Sequence, residues 1–327
     1  MKILYITQTP PELKGNGTEQ RTHRLWLKLR EMGDVDVVTW GEFRRRNILD
    51  AIFRRLFRPA ELPCFSLSGR SCERRFQGYD LVVTRYLNTA ARARAWEIAP
   101  CKVDVDDLPS EACRTVWSNS WPIGFRWIPR CVVSWWEKRV LRKLSGAWAA
   151  NACDAEKVSK YCPCEIFEND PLPPSAEYQA TGRQKRILMT VGSVGYPPNF
   201  EGICWFVRNV WAEIRSRHPN WEYHVAGKDG DSLPKDVKAS GMKVLGYVQD
   251  IDALYEKVAG VVAPVFAGAG TSIKVREALS RGRKVFATSF ASRGVTGSGN
   301  LVVCDTVGDM ISAIDGWMAE FDAGVRA

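Results

Sequence analysis

The residues with the clearest chemical potential lie within residues 260–289, GVVAPVFAGAGTSIKVREALSRGRKVFATS. A turn of small residues, which includes Gly270, Thr271 and Ser272, stands between an apolar run and a segment with helical periodicity. The apolar run at Val261–Phe266 predicts a buried strand, and Ile273–Ser280 predicts a helix. Free backbone N–H groups and the positive end of the helix dipole meet at such a helix N-terminus, so the pattern predicts an anion site. The alternative is an ordinary strand–turn–helix connection, because glycine-rich turns are common.

Two side chains on the predicted helix could contact a ligand at this turn. Lys274 would add a mobile positive charge beside a bound phosphate. Glu277 follows about one helical turn later, where its carboxylate could accept hydrogen bonds from ribose hydroxyls. Both residues are equally compatible with a solvent-facing helix surface, so the two interpretations stay open on composition alone.

A second group of ionisable residues follows a predicted strand in the first half. Lys102–Val105, which contains Asp104, leads into Asp106 and Asp107, and Arg85 stands at the end of the preceding strand. Carboxylates at a strand end could bind the hydroxyls of an acceptor, assist acid–base chemistry or hold a divalent cation. The alternative is that they cap the next segment, since aspartate is common at helix starts and turns.

Strands alternate with helices along both halves of the chain, which indicates two parallel-sheet domains of the α/β class. The first strand, Lys2–Thr7, leads through a loop containing Gly17 to a helix and a second strand, the opening of a Rossmann-type domain. Residues 169–186 contain several prolines without periodicity and indicate an interdomain linker. The predicted domains are therefore residues 1–168 and 187–327.

Length and composition fit a two-domain globular protein. The 327 residues are 45% hydrophobic and 25% charged, and they contain no apolar run long enough for a transmembrane helix. The N-terminal sequence lacks the apolar core and cleavage site of a signal peptide, so a cytoplasmic location is expected. The 10 cysteines and 3 histidines are scattered, so we expect no metal site and reduced thiols.

The formal net charge of +9 favours an acidic partner, such as a phosphorylated substrate or anionic lipid. Arg44–Arg58, RRRNILDAIFRRLFR, repeats paired apolar residues every four positions beside arginines. This pattern is typical of an amphipathic helix on an anionic membrane surface. A helix packed on a domain core, with its arginines reaching solvent, fits the pattern too. Nucleic acid is not expected as a partner, because no recognition motif accompanies the charge.

Residues Ser118–Ser145 are rich in tryptophan and basic residues, and they predict a long amphipathic helix with its approach. Tryptophan together with arginine is typical of a membrane interface or a sugar-stacking surface. The alternative is that most of these tryptophans pack in the core.

The second half resembles the C-terminal domain of retaining GT-B glycosyltransferases of the family 4/family 1 group. The resemblance is carried, in the family's order, by VGSVGYPPN, VAGKDG, LGYVQDI, APVFAGAGTSIKVREALSRGRKVFAT and SRGV. The first half is similar, more loosely, to the N-terminal domain of a bacterial subgroup in polysaccharide synthesis, through MKILYIT, YDLVVTRY, VDVDD and FEND. The resemblance implies a GT-B fold, in which two Rossmann-like parallel-sheet domains face each other across a cleft.

The resemblance also implies a hexosyltransferase-type glycosyltransferase, retaining and metal-independent. Such an enzyme would move a sugar from a UDP- or GDP-linked donor to a glycan or lipid-linked acceptor bound by the N-terminal domain, with no cofactor besides the donor. It would act in the cytoplasm or peripherally at the inner membrane face. A non-catalytic GT-B module that binds nucleotide or glycan as a regulator is the alternative.

The donor-binding positions of the family carry over onto residues of this sequence. They correspond to Gly17, Gly192, Ser193, Lys228, Tyr247, Val248, Gly270, Thr271, Ser272, Lys274 and Glu277. Among these, Lys274 would neutralise the distal phosphate and Glu277 would hold the ribose. Ala269 stands where the family's first glutamate lies, and none of the three histidines matches the family's N-domain histidine. Asp106 and Arg85 are therefore the catalytic candidates.

Overall fold

The computed structural model describes residues 1–12, 17–39, 76–115, 123–168, 170–176, 178, 184–268, 272–295 and 297–326. The chain divides into two units, Met1–Asn169 with Gly268–Gly270, and Asp170–Ala267 with Thr271–Ala327. Each unit is built on a sheet of six parallel strands flanked by helices. The amphipathic segment predicted at Arg44–Arg58 lies outside the described residues.

The strands of the first unit are ordered β2-β1-β3-β4-β5-β6. They span β1 Lys2–Thr7, β2 Asp34–Thr39, β3 Leu81–Arg85, β4 Cys101–Val105, β5 Gly146–Ala149 and β6 Cys164–Ile166. The described helices are α1 Gly17–Met32, α2 Leu87–Ala93, α3 Pro109–Thr115, α4 Trp127–Leu141 and α5 Ala152–Ser159. Short 3-10 turns occupy Ala95–Glu97 and Ile123–Phe125.

The strands of the second unit are ordered β12-β11-β10-β7-β8-β9. They span β7 Lys185–Val191, β8 Glu222–Ala226, β9 Lys243–Gly246, β10 Val258–Ala263, β11 Lys284–Ala287 and β12 Leu301–Val303. The described helices are α6 Pro197–Phe206, α7 Ala212–Arg217, α8 Lys235–Lys238, α9 Ile251–Lys257, α10 Ile273–Ser280 and α11 Val307–Arg326. A π-helical turn, Val207–Trp211, joins α6 to α7, and a 3-10 turn occupies Gly230–Ser232.

The second sheet is covered on both faces, as expected when helices connect parallel strands. Successive strand residues point to opposite faces, and Leu188 and Met189 of β7 accordingly pack in different apolar clusters. Val261 and Val262 of β10 divide between the same two clusters. This burial fixes the strands, so the residues that follow their carboxyl ends are held at one edge of the sheet.

The predicted α/β class with two parallel sheets is confirmed. Helix α10 has the predicted bounds, whereas the strand predicted at Val261–Phe266 is observed at Val258–Ala263. That strand ends before Pro264 because proline has no N–H group to donate to a neighbouring strand. Helix α3 was not predicted. None of the described helices is both long and apolar enough to span a bilayer.

Candidate functional site

Backbone hydrogen bonds join the carboxyl ends of three strands in the second unit. The N–H of Gly192, after β7, donates to the carbonyl of Ala226 at 2.9 Å, and the N–H of Gly227, after β8, donates to the carbonyl of Gly246 at 2.8 Å. The residues that follow β7, β8 and β9 therefore meet at one edge, which is where open parallel sheets bind their ligands.

Gly192 occupies a position where a side chain would not fit. Its φ is +141°, and a Cβ built on its backbone would lie 2.7 Å from Nδ2 of Asn199 and 3.4 Å from Nζ of Lys274. A Cβ on Gly227 would lie 1.9 Å from the carbonyl oxygen of Gly192. Glycine at these positions allows the main chain to approach an amide group and an ammonium group closely.

Lys274, in the first turn of α10, donates from Nζ to Oδ1 of Asn199. Nδ2 of Asn199 donates in turn to the carbonyl of Ser193 at 2.8 Å, and Oγ of Ser193 donates to Asp229 at 3.1 Å. The lysine predicted to be mobile is therefore held between α10 and α6. This bridge places its ammonium group beside the main chain of Gly192.

Among the described residues, Lys274 has a neutral hydrogen-bond partner and no charged one. Burial lowers the pKa of its ammonium group to about 8. Across the described ranges no carboxylate forms an ion pair with it, and its hydrogen bond goes to an uncharged amide. An anion bound here would favour the charged form and raise the pKa again, so the arrangement is suited to a phosphate.

Ser272 precedes α10 at its N-cap position and does not cap the helix with its side chain. Its Oγ is buried and has no hydrogen-bond partner within the part of the chain that the structure describes. A buried hydroxyl without a partner destabilises the folded protein, and a hydrogen bond to a ligand oxygen would remove this cost. Gly270 and Thr271 lie outside the described residues, so their contacts to a phosphate stay predictions.

Glu277 lies one turn further along α10 and is buried, which excludes the interpretation as a solvent-facing side chain. Its Oε2 accepts a hydrogen bond from the hydroxyl of Tyr255 at 3.1 Å, and Nη1 of Arg281 lies 4.0 Å from its Oε1. Arg281 is fixed in turn by Asp252, at 2.6 Å. Burial and the nearby Glu277 raise the pKa of Tyr255, so its hydroxyl stays protonated and donates.

Lys228 and Tyr247 follow β8 and β9 at the same edge. Nζ of Lys228 lies 5.0 Å from the centroid of the Tyr247 ring, and the carbonyl of Lys228 accepts the N–H of Val194 at 2.9 Å. The Tyr247 side chain is exposed, whereas Val248 is half-buried against an apolar cluster of this unit. A second cation and an aromatic ring thus stand near the glycines after β7 and β8.

A buried network of ionisable side chains lies at the carboxyl ends of β3 and β4 in the first unit. Arg85 donates through Nη2 to Asp106 at 3.0 Å and through Nη1 to Asp104. Arg21, on α1, donates to Asp104 at 2.6 Å. Burial alone would raise the pKa of Asp104, but the guanidinium groups of Arg21 and Arg85 lower it below its usual range.

The two catalytic candidates, Arg85 and Asp106, differ in how far they are buried. The guanidinium of Arg85 is fully buried and engaged by both aspartates, so it can position Asp106 but does not reach solvent. Asp106 keeps a small exposed fraction. Gly17, predicted to face the donor, is the first residue of α1. Throughout the described residues there is no group of three or more His, Cys, Asp or Glu side chains placed to hold a metal ion.

Sequence reasoning missed Arg21 and Asn199. Arg21 shares a helix face with the buried Leu25 and Leu29 at a spacing of four residues. An arginine on an otherwise apolar face is a signal that could have identified a buried ion pair. Asn199 follows two prolines at the start of α6, and nothing in its local sequence indicates that it holds Lys274.

Residues 185–320 match the model of a family described as Glycosyl transferases group 1. A relative from Klebsiella pneumoniae, named "Uncharacterized 44.6 kDa protein in cps region", is 22% identical over 151 residues, which are 43% of this chain and 38% of that protein. The chain therefore spans well under half of the length of the curated relative it matches.

Several solved structures are similar over nearly the whole chain. Anabaena HepE in complex with UDP and glucose has a TM-score of 0.64 at 14% identity, covering 98% of this chain and 91% of HepE. A sucrose-phosphate synthase from Thermosynechococcus elongatus has a TM-score of 0.64 at 13% identity, covering 98% and 90%. The chain covers 47% of TarM, a further similar structure. These similarities show the fold, which is GT-B.

Proposed function

We propose that this protein is a glycosyltransferase whose nucleotide-sugar donor binds at the carboxyl edge of the second sheet. The observation that carries the proposal is the set of Gly192, Asn199 and Lys274. In this set an ammonium group, which has no carboxylate partner among the described residues, lies beside main chain that a ligand can approach closely. The match of residues 185–320 to group 1 glycosyltransferases supports it. HepE, a structure of the same fold, is in complex with UDP and glucose.

The reaction would break the bond between the sugar and a nucleoside diphosphate, so negative charge develops on the departing phosphate. Preorganised cations and N–H donors that face this charge stabilise the transition state. Lys274 and the first N–H groups of α10 would supply them, with Ser272, Gly270 and Thr271 as further donors. Because Asn199 already holds Lys274, little reorganisation is needed when the charge appears.

The remaining residues of the edge would bind the nucleoside. Glu277 would accept hydrogen bonds from the ribose hydroxyls, because its carboxylate is fixed by Tyr255 and by the arginine on the next turn. Tyr247 and Val248 would contact the base. Lys228, together with Gly192 and Ser193, would complete the diphosphate site, so the reaction would need no metal ion or cofactor.

The acceptor would be a glycan or lipid-linked sugar bound by the first unit, with a hexose transferred from a UDP- or GDP-linked donor and retention of configuration. Asp106 would contact an acceptor hydroxyl, and Arg85 would hold that carboxylate in place. The resemblance of the sequence to enzymes of polysaccharide synthesis motivates this acceptor class. Arg44–Arg58 would attach the protein peripherally to the inner membrane face.

Thermal-shift titration with UDP, GDP, ADP and their sugar conjugates tests the donor site. A ligand at about 100 times its dissociation constant adds about 2.7 kcal/mol of stability by mass action. For domains of this size that corresponds to a rise in melting temperature of roughly 5 °C or more. We expect one nucleoside diphosphate to produce such a shift in the wild type.

Two lysine variants test whether the thermal shift depends on the site around Lys274. Lys274→Gln should lose the shift, whereas Lys257→Gln, which removes a charge from an exposed position at the end of α9, should keep it. Absence of a shift with every nucleotide, or an equal shift in Lys274→Gln, would refute the assigned site.

A further inference from the structure

Helix α4 of the first unit presents large aromatic side chains to solvent. Phe125, just before the helix, is 58% exposed, and Trp127 and Trp135 are 62% and 54% exposed. Trp127 and Trp135 lie two helical turns apart, with the exposed Cys131 between them on the same side. Exposed large apolar side chains that cluster on one surface mark a site that contacts another apolar phase.

The opposite side of α4 accounts for its place in the fold. Val133, Trp136 and Val140 are buried in the core of the first unit. The helix therefore lies along the surface, with one side packed inward and the aromatic side facing outward. Core packing explains the buried tryptophan at position 136 but gives no reason for indole rings at positions 127 and 135.

Basic side chains continue this outward surface in the last turn of α4 and just beyond it. Arg139, Arg142 and Lys143 are exposed. The guanidinium of Arg139 lies 5.6 Å from the ring centroid of Trp135, so aromatic and cationic groups are in contact. Arg142 lies over the ring of Tyr161 and Lys143 over the ring of Trp96. An exposed indole beside a guanidinium group, with further cations close by on the same helix, matches the arrangement by which interfacial helices bind anionic lipid.

We infer that the outward side of α4, formed by Phe125, Trp127, Trp135, Arg139 and Arg142, docks on an anionic lipid bilayer. The indoles would enter the headgroup region while the cations contact lipid phosphates. None of these residues belongs to the segment Arg44–Arg58. The inference does not depend on the proposed transfer reaction, because it concerns a helix whose outward side carries none of the proposed donor contacts.

Co-sedimentation of the full chain with vesicles tests this surface. The vesicles would be an equal mixture of phosphatidylglycerol and phosphatidylcholine, compared with phosphatidylcholine alone, at low and high salt. We expect binding to the anionic vesicles that weakens at high salt. A Trp127→Ser and Trp135→Ser double variant should bind roughly tenfold more weakly or worse, because two interfacial aromatics are lost. Arg139→Gln with Arg142→Gln should remove much of the salt-sensitive part.

Matched variants control for apolar area and for net charge. Leu27→Gln with Met32→Gln alters two exposed apolar side chains of α1, and Lys160→Gln with Lys257→Gln removes two exposed charges elsewhere. Both control proteins should bind vesicles as the wild type does. Vesicle binding that is equal in the Trp127→Ser and Trp135→Ser variant and the wild type would overturn the inference.

Sedimentation velocity tests whether a second copy of the chain, and not lipid, covers the outward side of α4. A wild-type dimer that the Trp127→Ser and Trp135→Ser variant loses, without any vesicle binding by the wild type, would show self-association and overturn lipid docking. Circular dichroism and the nucleotide-induced thermal shift report whether each variant is folded. A retained nucleotide shift in a variant that has lost vesicle binding separates this inference from the donor site.

Discussion

Replacing Lys274 by arginine should remove the pH dependence of nucleoside diphosphate binding between about pH 7 and pH 9. In the wild type, burial lowers the pKa of Lys274 to about 8. About nine-tenths of the free sites then carry the charge at pH 7, and about one-tenth at pH 9. A bound diphosphate stabilises the charged form, so affinity should be full below the lowered pKa and fall roughly tenfold as the pH rises through it.

The arginine variant is the matched control for this titration. Its guanidinium stays protonated throughout the interval, so its affinity should change little, even if its absolute affinity is lower. Any titration of the nucleotide itself affects both proteins equally, and the difference between them isolates the group at position 274.

Isothermal titration calorimetry at several pH values, repeated in buffers of different ionisation enthalpy, measures the effect. Wild-type binding above about pH 8 should be accompanied by proton uptake, because the bound diphosphate restores the ammonium charge. The arginine variant should take up no proton. Equal pH profiles for the two proteins would refute the assignment of the diphosphate to Lys274, as would wild-type affinity that does not change with pH.

Three further substitutions test other parts of the account. Gly192→Ala should weaken nucleotide binding at least roughly tenfold by calorimetry, because a Cβ at φ +141° lies 2.7 Å from Nδ2 of Asn199. Glu277→Gln should weaken UDP binding similarly but leave inorganic pyrophosphate binding unchanged, and an equal loss for both would contradict a ribose contact. Asp104→Asn should lower the free energy of unfolding in urea by about 3–5 kcal/mol, because the buried guanidinium groups of Arg21 and Arg85 lose one of their two carboxylate partners. Since Asp104 has a lowered pKa, its contribution is complete above about pH 4 and lost as the pH falls, so the variant should be less acid-sensitive.

The sequence identifies the elements better than the contacts between them. Lys2–Thr7 is confirmed residue for residue, because a central parallel strand is apolar along its whole length and local composition suffices to find it. The bounds of α10 are equally local, since small residues precede it and Gly282 follows it. The strand before α10 was predicted too far towards the C-terminus, because the apolar run continues past Pro264. The hydrogen-bonded pairing of the strand ends before this proline.

The state of each site residue depends on partners that are distant in sequence. Lys274 was predicted to be a mobile charge, but its ammonium group is held by Asn199 on another helix. For Glu277 the sequence left a ribose contact and a solvent-facing side chain open, and its burial beside Tyr255 excludes the second. Arg85 was predicted as a catalytic candidate at a strand end, but its guanidinium is buried and bonded to Asp104 and Asp106. Tertiary pairing, which no local pattern encodes, decides all three.

Transfer of radiolabelled sugar from the nucleotide sugar selected by thermal shift to lipid-linked glycan acceptors tests the central claim most directly. The account predicts transfer and release of the nucleoside diphosphate by the wild type, and a loss of roughly 10²-fold or more in Lys274→Gln. Donor binding with neither transfer nor hydrolysis above the enzyme-free rate would contradict a glycosyltransferase, and equal transfer by Lys274→Gln would contradict the site.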